Sequence, residues 1–586
     1  MNKFLIIIAT LFKLGILNIT YVAWYRFTLK SGIRKRWFPV KQLFVDQDLF
    51  KSVAPRTDFP EIWKEKVIKN ADKIFNGQLC YYSFHWKSLG NPPNWFLNPF
   101  NNKVYPNYQK NWTELQDFNP EVGEIKNVWE ASRFSWLVTL ARAYAVTSNE
   151  QYLTTINLWL KDWIRKNPLN FGPNWKCGQE ASIRIFNLLN TAFILKQHLN
   201  PSKPIVDFVF LSLNRIKANI RYAVAQDNNH GTSEAAALLI GGLWLTKIQK
   251  RQSKKALKFY HKGRKILENR IKKLVEADGS FSQHSTNYHR VFLDTVSFVQ
   301  FWMKIFDAEP LSDKIVLKVK VAKSWLFQLT DNISGDAPNL GANDGALLLN
   351  TNSCSFRDFR PSVQIAALLF EEHAVYPYGE WDESCYWFDL NRKVDTKPHT
   401  IPAKPSKILD KAYVTLVSAS ISSWALLRVP RFKFRPSHND VFHFDLWYNG
   451  KNILHDAGTF AYNPPENNLQ KPLKSVTYHN TASFDDNEQM PAISRFLLGN
   501  WLKPDNVSDI HEKGNEIVWE GSYLDSKKNK HTRTIRSFGR KWILEDELSG
   551  NFQHATVRYN LKDDKYSIQE NQIVLPWGSI IIENAE

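Results

Sequence analysis

Cysteine is scarce: Cys80, Cys177, Cys354 and Cys385 lie far apart in 586 residues, with no CxxC pair. That spacing argues against a zinc ribbon and against a disulfide framework, and it leaves the redox compartment open. No fixed-period repeat runs through the chain, which counts against a solenoid of the common families. Acidic residues are outnumbered, 57 to 76, giving a net charge of +19. Polyanions therefore become the first class of partner, whether nucleic acid, anionic lipid or acidic polysaccharide. The positive charge is spread along the chain and no DNA or RNA module appears, so nucleic acid drops out. What is plentiful is aromatic: 22 Trp, 21 Tyr and 38 Phe, rings that build cores and also stack on sugars. At 43% hydrophobic and 23% charged, a chain of this length buries large cores in at least two domains.

Residues 1–45 form an apolar and basic segment. Phe4 to Phe12 has the texture of a signal-peptide core, but Lys13 interrupts the run and no small-x-small cleavage site follows. The continuation LGILNITYVAWYRF equally suits an amphipathic helix packed on the body, with an uncleaved anchor as a variant. The location reads as periplasmic or envelope-associated, with cytoplasm as the alternative. Membrane contact is expected only if this segment is an anchor, and the oligomeric state is unreadable.

From Pro60 to Leu369 apolar residues recur at spacings of three and four. Helices are expected over Val128–Val146, Gln179–Leu195, Ser233–Ile248, Ala256–Val275, Tyr288–Phe306 and Leu317–Leu329, joined by polar turns such as DAPNLGANDG. An (α/α) toroid over 46–392 is the natural architecture. KVDTKPHTIPAKPSK, with three prolines, reads as a linker over 393–407. Beyond it, over 408–586, β-branched and aromatic residues recur at short intervals, and Asn449-Gly450 marks a hairpin. The fold class is thus multidomain α and β: a toroid followed by an antiparallel β-sandwich.

Three clusters carry chemistry. Asp227-Asn228-Asn229-His230-Gly231 precedes a helix that Thr232 or Ser233 would cap, and helix N-termini favour anions. A buried capping network would use the same residues. ADGSFSQHSTNYHRVF sets His284, Asn287, Tyr288, His289 and Arg290 at another helix start, though Tyr288 alone also suits packing. In the β region, Arg435, His438, Asn439 and Asp440 lie near Asp456 and His479 in sequence. They suit either a metal site or a hydrogen-bonded sheet edge.

Taken jointly, NNHGTSEAAAL, ADGSFSQHSTNYHRVF, HNDVFHFDLWYNGKNILHDAGT and YHNTASFDD resemble the heparinase II/III family of polysaccharide lyases, in this order and spacing. WEASRFSWLVTLARAYAVT resembles that family's WE-x-x-R helix. The resemblance, to a heparinase II/III-like and alginate-lyase-like protein, implies β-elimination on a uronic-acid-containing polysaccharide, an acidic glycan of catabolism or of exopolysaccharide or lipopolysaccharide assembly. It implies that Asn229 and His230 face the uronate carboxylate, that Tyr288 protonates the leaving oxygen and in some relatives also acts as base, and that His438 is the general base. Asn228, Arg133, His284, Arg290 and Arg435 are expected to contact carboxylate or sulfate. No cofactor is expected for the chemistry. A structural zinc or similar ion is implied at Asp440, Asp456 and His479, where at least one branch of the family has His at the first position. The alternative function is a non-catalytic glycan-binding protein.

Overall fold

The computed structural model describes residues 3–248, 253–390, 400–418, 423–459, 472–494, 496–562, 565–576 and 578–583. Three helices come first: α1 (Lys3–Leu14), α2 (Ile16–Lys30) and α3 (Ile33–Trp37). The helical domain proper then runs through α4 (Glu61–Phe75), α5 (Lys126–Trp129), α6 (Ser135–Thr147), α7 (Glu150–Lys166), α8 (Gly178–Ile194), α9 (Lys203–Ala225) and α10 (Asn229–Ile248). It continues with α11 (Ser253–Leu274), α12 (Thr286–Ile305), α13 (Asp313–Leu329), α14 (Arg360–Phe370) and α15 (Glu383–Trp387). Packing sorts them into two rings. Helices α6, α8, α10, α12 and α14 touch in succession, while α7, α9, α11 and α13 each back onto one of them, the arrangement of an (α/α) toroid.

Composition explains the sorting. Every residue of α8 is buried and α10 is apolar nearly all round, whereas α11 alternates lysines with a single apolar stripe, as expected for an inner and an outer position. Glycine lets α10 and α11 approach closely. A Cβ on Gly242 would come within 2.4 Å of the Tyr260 nitrogen, and one on Gly263 within 2.4 Å of the Leu239 nitrogen.

The expected helix over Val128–Val146 is broken. Phe134 takes a left-handed conformation, φ 66°, between the short 3-10 turn Glu130–Arg133 and α6. The break leaves Glu130 and Arg133 in the turn before α6. Residues 78–124, where helical periodicity is weak, hold small hairpins such as Gln78–Tyr81 with His85–Ser88.

Of the expected linker, residues 393–399 lie outside the described residues, and the first strand, Lys407–Leu409, begins the sandwich. One antiparallel sheet runs in the order Lys451–Leu454, Phe444–Tyr448, Ser423–Arg428, Tyr413–Val417, Lys407–Leu409. The other is built around Glu516–Leu524, Lys530–Phe538 and Lys541–Ser549. Leu416, Phe444, Trp519 and Ile535 meet in the core between the sheets. Asn449 and Gly450 take φ of 47° and 77°, the positive values that a two-residue hairpin requires.

A reciprocal set of hydrogen bonds docks the sandwich on the toroid. Asp278 N, Ser280 N and Ser280 Oγ donate to the Asp410 carboxylate at 2.7, 3.2 and 2.9 Å, and Asp410 N donates back to Asp278 Oδ2 at 2.7 Å. The loop so held leads directly to α12. Asp410→Ala removes three accepted bonds at once and is expected to lower unfolding stability by about 2 kcal/mol, read as a fall in the calorimetric melting temperature.

Candidate active site

The inner helices run in one direction, so their N-termini gather at one rim of the barrel. Asn229 and Tyr288 stand at the starts of two of them, α10 and α12. The structure starts α10 at Asn229 rather than after Thr232 or Ser233. Asn228 supplies the cap instead: its Oδ1 accepts from His230 N at 3.0 Å, and Asn229 N donates to Gln283 Oε1 at 2.8 Å. Part of the motif is therefore a capping network. The Asn229 side-chain amide has no hydrogen-bond partner among the described residues, and the His230 ring is 28% exposed.

Tyr288 stands one turn into α12, whose start Ser285 caps by accepting from Tyr288 N at 3.1 Å. Its Oη donates to Asp344 Oδ2 at 2.8 Å. Asp344, fully buried, is ion-paired in turn with Lys126. Burial pulls the Lys126 ammonium down to about 8; Glu124, Glu130 and Glu180 oppose that shift and Arg133 adds to it. Asp344, Lys126 and Glu180 were not singled out from sequence. The only signal for Asp344 was its place in the polar Asn-Asp-Gly stretch.

Arg133 is not open for a substrate contact. Its Nε and Nη2 grip both oxygens of Glu180 at 2.8 and 2.9 Å, and Nη1 pairs with Glu130. Its field still reaches Tyr288. Arg290 is likewise committed: the guanidinium lies 4.3 Å from each of the Phe356 and Phe359 rings and donates to Asn287 Oδ1 at 2.6 Å and to the Phe356 carbonyl. His284 is buried at the seam, 3.3 Å from Tyr413 Oη and edge-on to Phe432. Burial, then the Arg428 charge, hold its imidazole far below the ordinary range. These two side chains organise the interior.

His230 senses both halves of the molecule. Burial lowers its affinity for a proton; Glu234 and Glu180 oppose this, while Lys126 from the toroid and Arg435 from the sandwich reinforce it. Its Nδ1 lies 3.8 Å from Cys177 Sγ and 3.9 Å from Glu234 Oε1. Burial raises the Glu234 carboxyl to about 8. Half-buried Arg435 is the arginine whose charge faces the His230 loop.

On the sheet, the metal-like cluster is His438, Asp456 and His479, with ligand atoms within 4.8 Å of one another. His438 takes the place expected for Asp440. That carboxylate is buried nearby and acts on both imidazoles only through its field. His479 Nδ1 lies 3.0 Å from Asp456 Oδ2, and its Nε2, like Nδ1 of His438, is buried with no hydrogen-bond partner among the described residues. Two orphaned imidazole nitrogens beside a carboxylate fit a zinc-like ion. His438 is only 2% exposed, and its ring lies 5.3 Å from that of His479.

Seam contacts bring this cluster toward Tyr288. Asn343 N donates to Thr459 Oγ1 at 2.9 Å, and Thr459 Oγ1 donates to the Asn343 carbonyl at 3.0 Å. These join the loop carrying Asp456 to the residue beside Asp344.

The Heparinase II/III N-terminus family matches residues 61–315, and the Heparinase II/III-like, C-terminal family matches residues 428–578. A heparin-sulfate lyase of Bacteroides thetaiotaomicron is 22% identical over 478 residues, covering 77% of this chain and 63% of the relative. One of Pedobacter heparinus is 22% identical over 479 residues, covering 77% and 65%. The chain thus spans a little under two thirds of the length of these relatives. Among solved structures, heparinase III aligns with a TM-score of 0.58 at 18% identity, covering 89% of this chain and 78% of that one. A mutant of the heparan sulfate lyase HepC from Pedobacter heparinus aligns with a TM-score of 0.51 at 19% identity, covering 95% and 78%. With both halves of the family matched in order and the toroid and sandwich in place, the chain belongs to the heparinase II/III-like family.

Proposed function

We propose that this protein is a polysaccharide lyase, cleaving a uronate-containing acidic polysaccharide by β-elimination. The observation that carries the reading is the Tyr288–Asp344–Lys126 chain beside Asn229 and His230, at the rim where the inner helices begin. Elimination must offset the uronate carboxylate, take the weakly acidic proton beside it and protonate the departing glycosidic oxygen. The Asn229 amide, neutral His230, Arg435 and the helix N-termini supply the first requirement. Tyr288 supplies the other two. Asp344 takes the phenolic proton, and the phenolate takes the carbon-bound proton as the carbon–oxygen bond breaks and the double bond forms. Tyr288 then hands that proton to the leaving oxygen, and Asp344 returns its own. Lys126 and Arg133 stabilise the transient phenolate by charge. The related heparin-sulfate lyases, together with the net charge of +19, favour a sulfated or otherwise polyanionic glycan.

His438, Asp456 and His479 would hold a zinc-like ion that pins the Arg435–Asp440 segment to the sheet, with no step of the reaction passing through it. Metal analysis of the purified protein is expected to find about one equivalent of zinc per chain. His479→Ala is expected to lose it and to melt several degrees lower.

Tyr288→Phe is expected to reduce the ultraviolet absorbance rise of unsaturated uronate ends by about a hundred- to ten-thousand-fold, while glycan binding stays near wild type. Equal binding with no turnover in either form would favour a pure glycan-binding protein. The alkaline limb has a definite sign. Lys126 is charged below about 8 and loses that charge as pH rises through it, so kcat/KM is expected to fall there. Lys126→Arg, which stays protonated, should move the limb upward.

A further inference from the structure

Helices α1 and α2 are already satisfied on their inner side. Tyr25 stacks on Tyr222 of α9 with centroids 3.8 Å apart, and Asn18 Nδ2 donates to Asp227 Oδ2 at 2.7 Å. The Lys13 ammonium lies 4.9 Å from the centre of the Trp501 ring, and Leu14 packs against the sandwich core. The pair therefore straddles both domains, bent by 102° at its break. No single described helix is long and apolar enough to cross a membrane.

The outer side is where the pattern departs from that of a surface helix. On α2 the outward stripe is Ile16, Leu17, Thr20, Ala23, Trp24 and Phe27, and Leu5 and Phe12 continue it on α1. Leu17 is 73% exposed, Phe12 68%, Phe27 58% and Trp24 53%. A helix lying on a soluble body turns charge outward; here both faces are apolar, so the outer one calls for a covering.

Charge identifies what covers it. Exposed Lys13, Arg26 and Lys30 flank the stripe, and Arg221 of α9 lies 5.8 Å from the Tyr21 ring. Lys217, Arg221 and Lys262 crowd together closely enough that their mutual repulsion adds to burial in weakening the hold of Lys262 on its proton. Lys503 stands in the same relation to Lys13. Apolar and aromatic side chains within a cationic border match the interfacial layer of an anionic bilayer, with Trp and Phe at headgroup depth and Lys and Arg among the phosphates.

We propose that α1 and α2 dock this protein flat on an anionic membrane surface, without spanning it.

The test is co-sedimentation of the full chain with vesicles of phosphatidylcholine alone or mixed with phosphatidylglycerol. Wild type is expected to sediment with the anionic vesicles about ten-fold more tightly than with the neutral ones, and to be released by salt. A Leu17→Glu, Trp24→Glu, Phe27→Glu variant should bind about ten-fold more weakly, with an unchanged circular dichroism spectrum. Should that variant misfold, Lys217→Glu with Arg221→Glu tests the basic border in its place and should weaken anionic-vesicle binding alone. Wild type that ignores anionic vesicles, or folded variants that bind as wild type does, would overturn the proposal. So would light scattering that finds a dimer closed through this face in protein that ignores vesicles.

Discussion

Everything at the candidate site depends on one constraint: the inner helices of the toroid share a direction, so their unpaired N–H groups and dipole ends converge on a single rim. An uncompensated collection of this kind in a buried setting would be costly. The protein fills the rim with side chains that balance one another. Glu180 and Glu130 hold Arg133, and Asp344 holds Lys126. Asn229 and His230 lie at the start of α10, where an anionic substrate group would meet neutral donors and the helix dipole. Tyr288 stands near the start of α12, with a carboxylate already on its hydroxyl.

The sandwich completes the site from across the seam. Arg435 acts on His230, Asp410 holds the loop leading to α12, and the Thr459–Asn343 bonds tie the buried His438–Asp456–His479 cluster to the loop carrying Asp344. The apolar helices α1 and α2 cross the same junction from outside and reach Asp227, the residue before Asn228, so surface docking and site geometry share a physical connection.

Periodicity made the toroid legible, because inner and outer helices bury different widths of face, and the Asn449-Gly450 turn was legible because few residue pairs tolerate two positive φ values. The motifs at Asn229 and Tyr288 were legible because polar groups at helix starts stand out against apolar runs. What escaped was set by tertiary contact. Phe134 breaks a helix that its sequence would continue. Arg290 looks like an anion-binding residue until two aromatic rings close over it. His438 reads as a base in sequence and lies in the fold with His479 and Asp456, while Asp440, one position from Asn439, remains outside that cluster. Asp344 lies 56 residues from Tyr288 in a loop without periodicity, and only the fold brings them together.

The central claim is that this rim eliminates rather than hydrolyses. The most direct measurement is mass spectrometry of the products formed from a uronate-containing polysaccharide in water enriched in heavy oxygen. Elimination predicts new non-reducing ends that carry a double bond and no oxygen from solvent. Saturated ends, with one solvent oxygen added per cleavage, would contradict it.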